Sequence, residues 1–191
     1  MLNNLRPALS MIVLFTALLG LAYPLAVTGV AGILFPDRAQ GSLVERNGTA
    51  VGSALVGQSF TSDRYFHGRP SATAEKPYNA ASSGGTSLGP TSARLRDMIA
   101  TEAGKLRAAG DATPLPADAV TSSGSGLDPD ISPAFARLQI ARVARARDMP
   151  AQRLAALVDA QTEKPLLGFL GELRINVLKL NMALDKAVLQ K

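Results

Sequence analysis

Hydrophobic and polar positions divide this chain sharply near residue 36. From Ala8 to Phe35 there are 28 consecutive residues without a charge, and fourteen of them are Leu, Ile, Val or Phe. A hydrocarbon core about 30 Å thick is crossed by roughly 20 apolar residues in a helix. The run is therefore long enough to span, with residues left over for tilt. Its branched and aromatic side chains favour insertion by at most about 4–8 kcal/mol. That margin absorbs Gly20, Gly29, Gly32 and Pro24, which would damage a soluble helix. A cleaved signal peptide competes, because Arg6 supplies a basic start and Gly29-Val30-Ala31 a small-x-small site. Signal cores run about 7–15 residues, half of what is present, so the length favours a retained anchor. A buried soluble helix fits less well, since core helices seldom run this far uncharged.

Within the anchor, Pro24 after Tyr23 predicts a kink. Gly20 and the pairs Ala22/Ala26 and Thr28/Gly32 are small residues at spacings that let another helix approach. A lone kinked anchor in lipid is the simpler alternative. The division is thus a tail over 1–7, a transmembrane helix over 8–35 and one domain over 36–191.

Beyond Phe35 the pattern becomes mixed. Pro36-Asp37 ends the helix, and Ser42–Glu45 and Thr49–Val56 read as strands joined at Asn47-Gly48, a dipeptide suited to a type I′ turn. The same residues with Thr49 match a glycosylation sequon, which the turn explains better. Gln58–Thr73 reads as a short aromatic-containing element and turn, and Tyr78–Ser92 as a loop rich in Gly and Ser. Ser92 can cap a helix running through Leu95, Met98, Ile99 and Leu106 to Gly110. Pro114 and Pro116 open a linker, Ala119–Ser122 reads as a brief strand, and Gly124–Pro129 as a tight loop. Ser132-Pro133 is the cap-then-proline order of a helix start. On that helix Phe135, Ala136, Ile140, Val143 and Ala146 share one arc, with Arg137, Arg142 and Arg145 opposite. Those arginines form a solvated face or, alternatively, a polyanion or headgroup site. Another helix follows Pro150 through Leu154, Leu157 and Val158, then a strand over Leu173–Val177 and a last helix through Leu180 and Leu184. Strands at both ends with helices between them make a mixed α/β (α+β) domain.

Composition narrows the chemistry. The net charge of +5 is scattered, and aromatics are few, so no basic stripe suited to nucleic acid exists. Without cysteine there is no disulfide, thiolate metal site or thiol nucleophile. Arg6 on one side of the anchor and Arg38 and Arg46 on the other leave orientation undecided by charge. His67 is the only histidine, so any catalytic triad or paired-histidine metal site must use it. No Gly-x-Ser-x-Gly accompanies it, and structural hydrogen bonding explains it better. The glycine-rich Ser82–Gly89 lacks the lysine of a phosphate loop. Asp128 and Asp130 could be paired carboxylates, but Pro129 between them suits a turn. No constellation requires catalysis, and a membrane-tethered periplasmic hydrolase using His67 is the remaining enzymatic alternative.

Several blocks carry a resemblance. Arg6-Pro7-Ala8 and Tyr23-Pro24-Leu25 are followed by Gly52–Gln58, Tyr65-Phe66-His67-Gly68-Arg69-Pro70-Ser71-Ala72, and Ser83-Gly84-Gly85. Ser125-Gly126-Leu127-Asp128, Ile131-Ser132-Pro133, Arg142-Val143-Ala144, and Leu180-Asn181-Met182-Ala183-Leu184-Asp185 complete the series. In this order, after a single N-terminal anchor, the chain resembles the C subunits of the bacterial high-affinity potassium-transporting ATPases, the KdpC family. The resemblance implies an accessory, non-catalytic subunit with no tightly bound cofactor. ATP and Mg would belong to a P-type ATPase subunit (KdpB), and potassium to a channel-like subunit (KdpA). It implies an inner-membrane, single-pass protein in contact with lipid, with a cytoplasmic N-terminus and an extracytoplasmic (periplasmic) domain. It also implies assembly stabilisation and a proposed increase in the pump's ATP affinity. The motif positions expected at the surface are Tyr65, His67, Arg69, Ser83, Gly84, Gly85, Asp128 and Asn181, with no ligand assigned to any.

Overall fold

The computed structural model describes residues 4–108 and 114–189. Helix α1 (Leu5–Ala17) passes through a π-helical turn at Leu18–Ala22 into α2 (Tyr23–Leu34), making one 30-residue helix with no buried residue. At 1.5 Å per residue it is about 45 Å long, enough by length and composition to cross a bilayer. Tyr23 N–H reaches back to the Leu18 carbonyl, five residues earlier. The wider turn lies just ahead of Pro24, whose ring cannot donate a hydrogen bond and would clash with a tight preceding turn. Phe35, at φ −138°, breaks the helix, and α3 (Pro36–Ala39) adds one turn where the proline was expected only to stop it.

The hairpin of β1 (Leu43–Arg46) and β2 (Thr49–Ser53) is antiparallel, with Arg46 opposite Thr49 and a bulge between Val44 and Glu45. Asn47 (φ 53°) and Gly48 (φ 75°) both take the positive angles of a type I′ turn. β1 has the expected length, shifted by one residue, while β2 stops at Ser53, short of the expected Val56. Ser53 Oγ donates to Gly41 O (2.7 Å) and accepts from Leu55 N (3.0 Å), turning the chain before Val56.

Helices α6 (Pro133–Arg147), α7 (Ala151–Ala160) and α8 (Val177–Leu189) surround the core. Ser132 caps α6 by accepting from Phe135 N (3.0 Å). Val143, Leu154, Val158, Ile175, Leu180 and Leu184 are fully buried, and Phe66 joins them from an irregular segment. A two-residue ladder pairs β3 (Asp130–Ile131) with β4 (Ile175–Asn176) and sets the start of α6 beside the start of α8. The expected strand over Leu173–Val177 contracts to β4 because Val177 already begins α8.

Helix α4 (Ala93–Ala108) starts after Ser92, whose Oγ accepts from Leu95 N (3.4 Å). Its expected end at Gly110 lies outside the described residues. The expected strand over Ala119–Ser122 is wrong: Ala117–Val120 form a helical turn, α5. Thr121 Oγ1 closes that turn on Ala117 O (2.7 Å), and Asp118 accepts from Ser132 N (2.6 Å) and Ser132 Oγ (3.0 Å). These local bonds overrode the β-branched pair Val120/Thr121. Helices and two two-stranded sheets give an α+β domain behind the apolar helix.

Candidate functional site: a convergence of polar loops

The segment Tyr65–Ala72 has no regular secondary structure, so its backbone must find side-chain partners. Two buried amides supply them. From α8, Asn181 Oδ1 accepts from Phe66 N and Nδ2 donates to Phe66 O, both at 2.9 Å. From α6, Gln139 Oε1 accepts from His67 N (2.8 Å) and Nε2 donates to His67 O (3.0 Å). Each amide thus replaces one rung of a β-ladder at successive residues. Asn181 is 2% exposed, which corrects its expected place at the surface.

Tyr65 packs beside the same two helices. Its hydroxyl donates to Asp185 Oδ2 (3.3 Å), and the Arg147 guanidinium lies 4.6 Å from its ring centre. Arg147, almost wholly buried, approaches Asp185 Oδ1 at 2.8 Å and donates from Nε to Arg64 O (2.6 Å). Arg46 of the hairpin meets the other Asp185 oxygen at 3.0 Å. One carboxylate therefore joins β1, α6, α8 and the Tyr65 segment.

Downstream, Arg69 Nη1 pairs with Asp128 Oδ2 at 3.0 Å, while Nε and Nη2 donate to Thr121 O (3.3 Å) and Ser122 O (3.4 Å). Asp128 Oδ1 accepts from Asp130 N (3.0 Å), so Asp128 builds the turn that Pro129 between the two aspartates suggested. Ser71 Oγ donates to Gly126 O (2.7 Å), and Tyr78 OH donates to Arg69 O (2.6 Å). Burial, reinforced by the Asp128 charge, pushes the Tyr78 hydroxyl up to about 12. Gly84 N and Ser83 Oγ both donate to Ser125 O (2.9 and 3.1 Å). Gly85 packs so closely that a Cβ there would lie 2.9 Å from Gly124 O. Gly57 N donates to Leu127 O (2.8 Å). Four blocks far apart in sequence, around residues 57, 69, 84 and 127, thus form one interlocked set of loops.

Most polar side chains of this arrangement are engaged by partners within the chain. Gly84 N–H is engaged by Ser125 O, which packs that part of the glycine-rich loop against the loop around Ser125. His67 Nε2 lies 3.1 Å from Ser62 O and 3.4 Å from Arg142 Nη1. Burial and then the Arg142 charge push its pKa down from 6.5, while Ser62 O and Asp63 act the other way. Asp63 itself faces Arg142 at 3.6 Å, and among the described residues no serine hydroxyl makes a hydrogen bond with the ring. Asp118, Asp128, Asp130 and Glu172 line a shallow cavity of about 650 Å³ with Arg69 and Arg174. Burial raises Asp130, although Arg174 and Asn176 oppose the shift. The cavity's three aspartates already hold backbone or cationic partners. Among the described residues no group of three His, Asp or Glu is disposed to hold a metal.

The expected basic face of α6 holds at Arg137 and Arg145, which are exposed, and departs only at Arg142. Arg137 pairs with Asp159 (2.8 Å), and Arg142 turns back to Gln139 Oε1 (2.7 Å) and Asp63 O (2.9 Å). Gln139 itself was missed. It sits at i+4 from Phe135 and i−4 from Val143, a polar residue inside the apolar arc, and that interruption was its signal. In the anchor, Gly20, Ala22, Pro24, Ala26, Thr28 and Gly32 lie on an exposed helix. A Cβ at Gly32 would meet nothing within 4 Å, and one at Gly20 only its own helix's Thr16.

Comparison with known proteins agrees along nearly the whole length. Residues 5–186 match the family described as KdpC: K+-transporting ATPase, c chain. A protein of Allorhizobium ampelinum named potassium-transporting ATPase KdpC subunit is 60% identical over 187 residues, covering 98% of both chains. Proteins of the same name from Methylobacterium nodulans and Rhodopseudomonas palustris are 58% and 56% identical, each over at least 97% of this chain and 98% of the relative.

Proposed function

This chain belongs to the KdpC family, the C chains of K+-transporting ATPases, and on that premise we propose that it holds the transport complex together without performing catalysis. The anchor packs against helices of the channel-like subunit (KdpA) and the P-type ATPase subunit (KdpB) of the inner membrane. The amino terminus lies in the cytoplasm and the folded domain outside, near the potassium entrance. The observation that carries this reading is the internal satisfaction of the motif side chains. Asn181, Arg69, Asp128 and His67 are all engaged within the chain, while the 30-residue apolar helix has no buried residue. A polypeptide so arranged works by contact.

An effect on ATP affinity then has one physical route. With the domain outside, the bilayer separates it from cytoplasmic ATP, so coupling travels through the anchor as a shift in the pump's conformational equilibrium. A chain truncated to begin after Phe35, expressed beside the other subunits, is expected to lose co-purification with them. Full retention of the truncated domain would overturn the anchor's role. Accessibility of a carboxyl-terminal tag in intact cells, expected only from outside, reads the orientation in the same preparation.

A further inference from the structure

We propose that the hairpin over residues 165–173 is a docking finger that seats in an apolar, hydrogen-bonding cleft on the extramembrane face of another subunit of the same membrane complex. This rests on the subunit reading above. Leu166 (71%), Leu167 (74%), Phe169 (74%), Leu170 (52%) and Leu173 (50%) are all strongly exposed within one short stretch. They are not on a loose strand of chain. Leu166 and Leu170 exchange both backbone hydrogen bonds (3.1 and 3.0 Å), and Gly168 N donates to Pro165 O (3.0 Å). Leu167 (φ 55°), Gly168 (φ 82°) and Gly171 (φ 107°) take left-handed angles, a conformation that costs free energy at a leucine. The fold builds this turn and leaves its apolar side chains uncovered.

The root of the finger is braced and tied to the anchor's exit. Glu163 and Arg174 exchange backbone bonds (2.8 and 3.2 Å). Arg174 Nε lies 3.2 Å from Glu163 Oε2 and 3.4 Å from Asp130 Oδ2, and Lys179 Nζ 3.0 Å from Glu163 Oε1. Asn176 Nδ2 links Asp130 (3.2 Å) to Ala54 O (2.9 Å). Ala54 N donates to Ser42 O (2.9 Å), and Ser42 N to Asp37 O (2.7 Å), three residues past the end of α2. A short series of contacts therefore leads from the finger's base to the membrane helix.

The occupant follows from backbone chemistry and area. The amides of Leu167, Phe169 and Leu173 take no partner from the described residues. Irregular backbone of this kind is not tolerated in the hydrocarbon core but is satisfied in a protein cleft, which favours a protein partner over deep burial in lipid. The five exposures amount to accessible surface on the order of 600 Å², against about 800 Å² per side in a standard free-standing interface. A freely diffusing partner or a second copy would be held weakly by so little. A subunit already beside the anchor needs less, because tethering raises the effective concentration.

The test uses the full chain assembled with the other subunits, carrying a photoreactive benzophenone side chain at position 169. Irradiation is expected to join it to another subunit. The double variant Leu167→Ser, Phe169→Ser should leave the chain's own thermal midpoint unchanged, yet dissociate from the complex at least tenfold faster in detergent. Adducts to lipid alone, adducts to a second copy, no adduct, or an unaltered dissociation rate would each overturn the finger while the unmodified chain still co-purifies. Failure of the unmodified chain to co-purify would instead remove the subunit reading and the finger with it.

Discussion

The amide of Asn181 offers the most direct test of how this domain is held. Its two groups satisfy both backbone groups of Phe66, at 2.9 Å each, in a site where Phe66 is fully buried and Asn181 is 2% exposed. Asn181→Leu keeps the branched shape, in a somewhat larger side chain, and removes both bonds at once. The stranded Phe66 N–H and C=O would each carry a desolvation penalty of about 1–3 kcal/mol. Some relief comes from added apolar contact, so a net loss of about 3 kcal/mol is expected. Against a typical total of about 5–15 kcal/mol, that is a large fraction. Asn181→Asp should cost at least as much, since it loses the donor and sets a carboxylate against the Phe66 carbonyl. Urea unfolding of the full chain in detergent, followed by near-ultraviolet circular dichroism, measures both. A cycle with Gln139→Ala adds a second check, because the clamps hold adjacent residues and should couple by at least about 0.5 kcal/mol. A midpoint for Asn181→Leu equal to that of the unaltered chain would refute the reasoning.

Two further perturbations probe the interlocked loops. At Gly57 an added Cβ would lie 2.5 Å from the backbone carbonyl oxygen of Asp128 and from the Tyr78 ring. Gly57→Ala is therefore expected to destabilise by about 1–3 kcal/mol through forced displacement of the loop, measured by the same unfolding; an unchanged midpoint would show the loops are not locked there. The His67 pKa, lowered by burial and by Arg142, predicts a pH effect of definite sign. The unfolded chain binds a proton near pH 6.5 and the folded chain only at lower pH, so stability is full above that value and falls on acidification through it. Glu163, held low mainly by Lys179, acts in a separate window, losing its contribution below about pH 4.5. Thermal midpoints should therefore decline between pH 7.5 and 5.5, and His67→Gln should flatten that decline; an equally steep decline in His67→Gln would assign the effect elsewhere.

The sequence carried what depends on neighbours along the chain. The uncharged run from Ala8 to Phe35, the Asn47-Gly48 turn and the Ser132-Pro133 helix start each follow from a few adjacent residues. The same locality misled at Ala119–Ser122, where β-branched residues suggested a strand and a side-chain closure made a helical turn. It misplaced Arg142 as well, because helical spacing gives a direction from the axis and says nothing of what packs against that direction.

What the sequence determined alone was the division into an apolar helix and a mixed domain, and the positions of the family's blocks. Which block touches which was decided by the tertiary structure. Asn181 meets Phe66 across 115 positions and Arg69 meets Asp128 across 59. Such pairs leave no periodic trace in sequence, since a buried amide or guanidinium is placed by the helices that carry it. Whether Asn181 lay at the surface or in the core therefore depended on how α6 and α8 close over an irregular segment that has no ladder of its own.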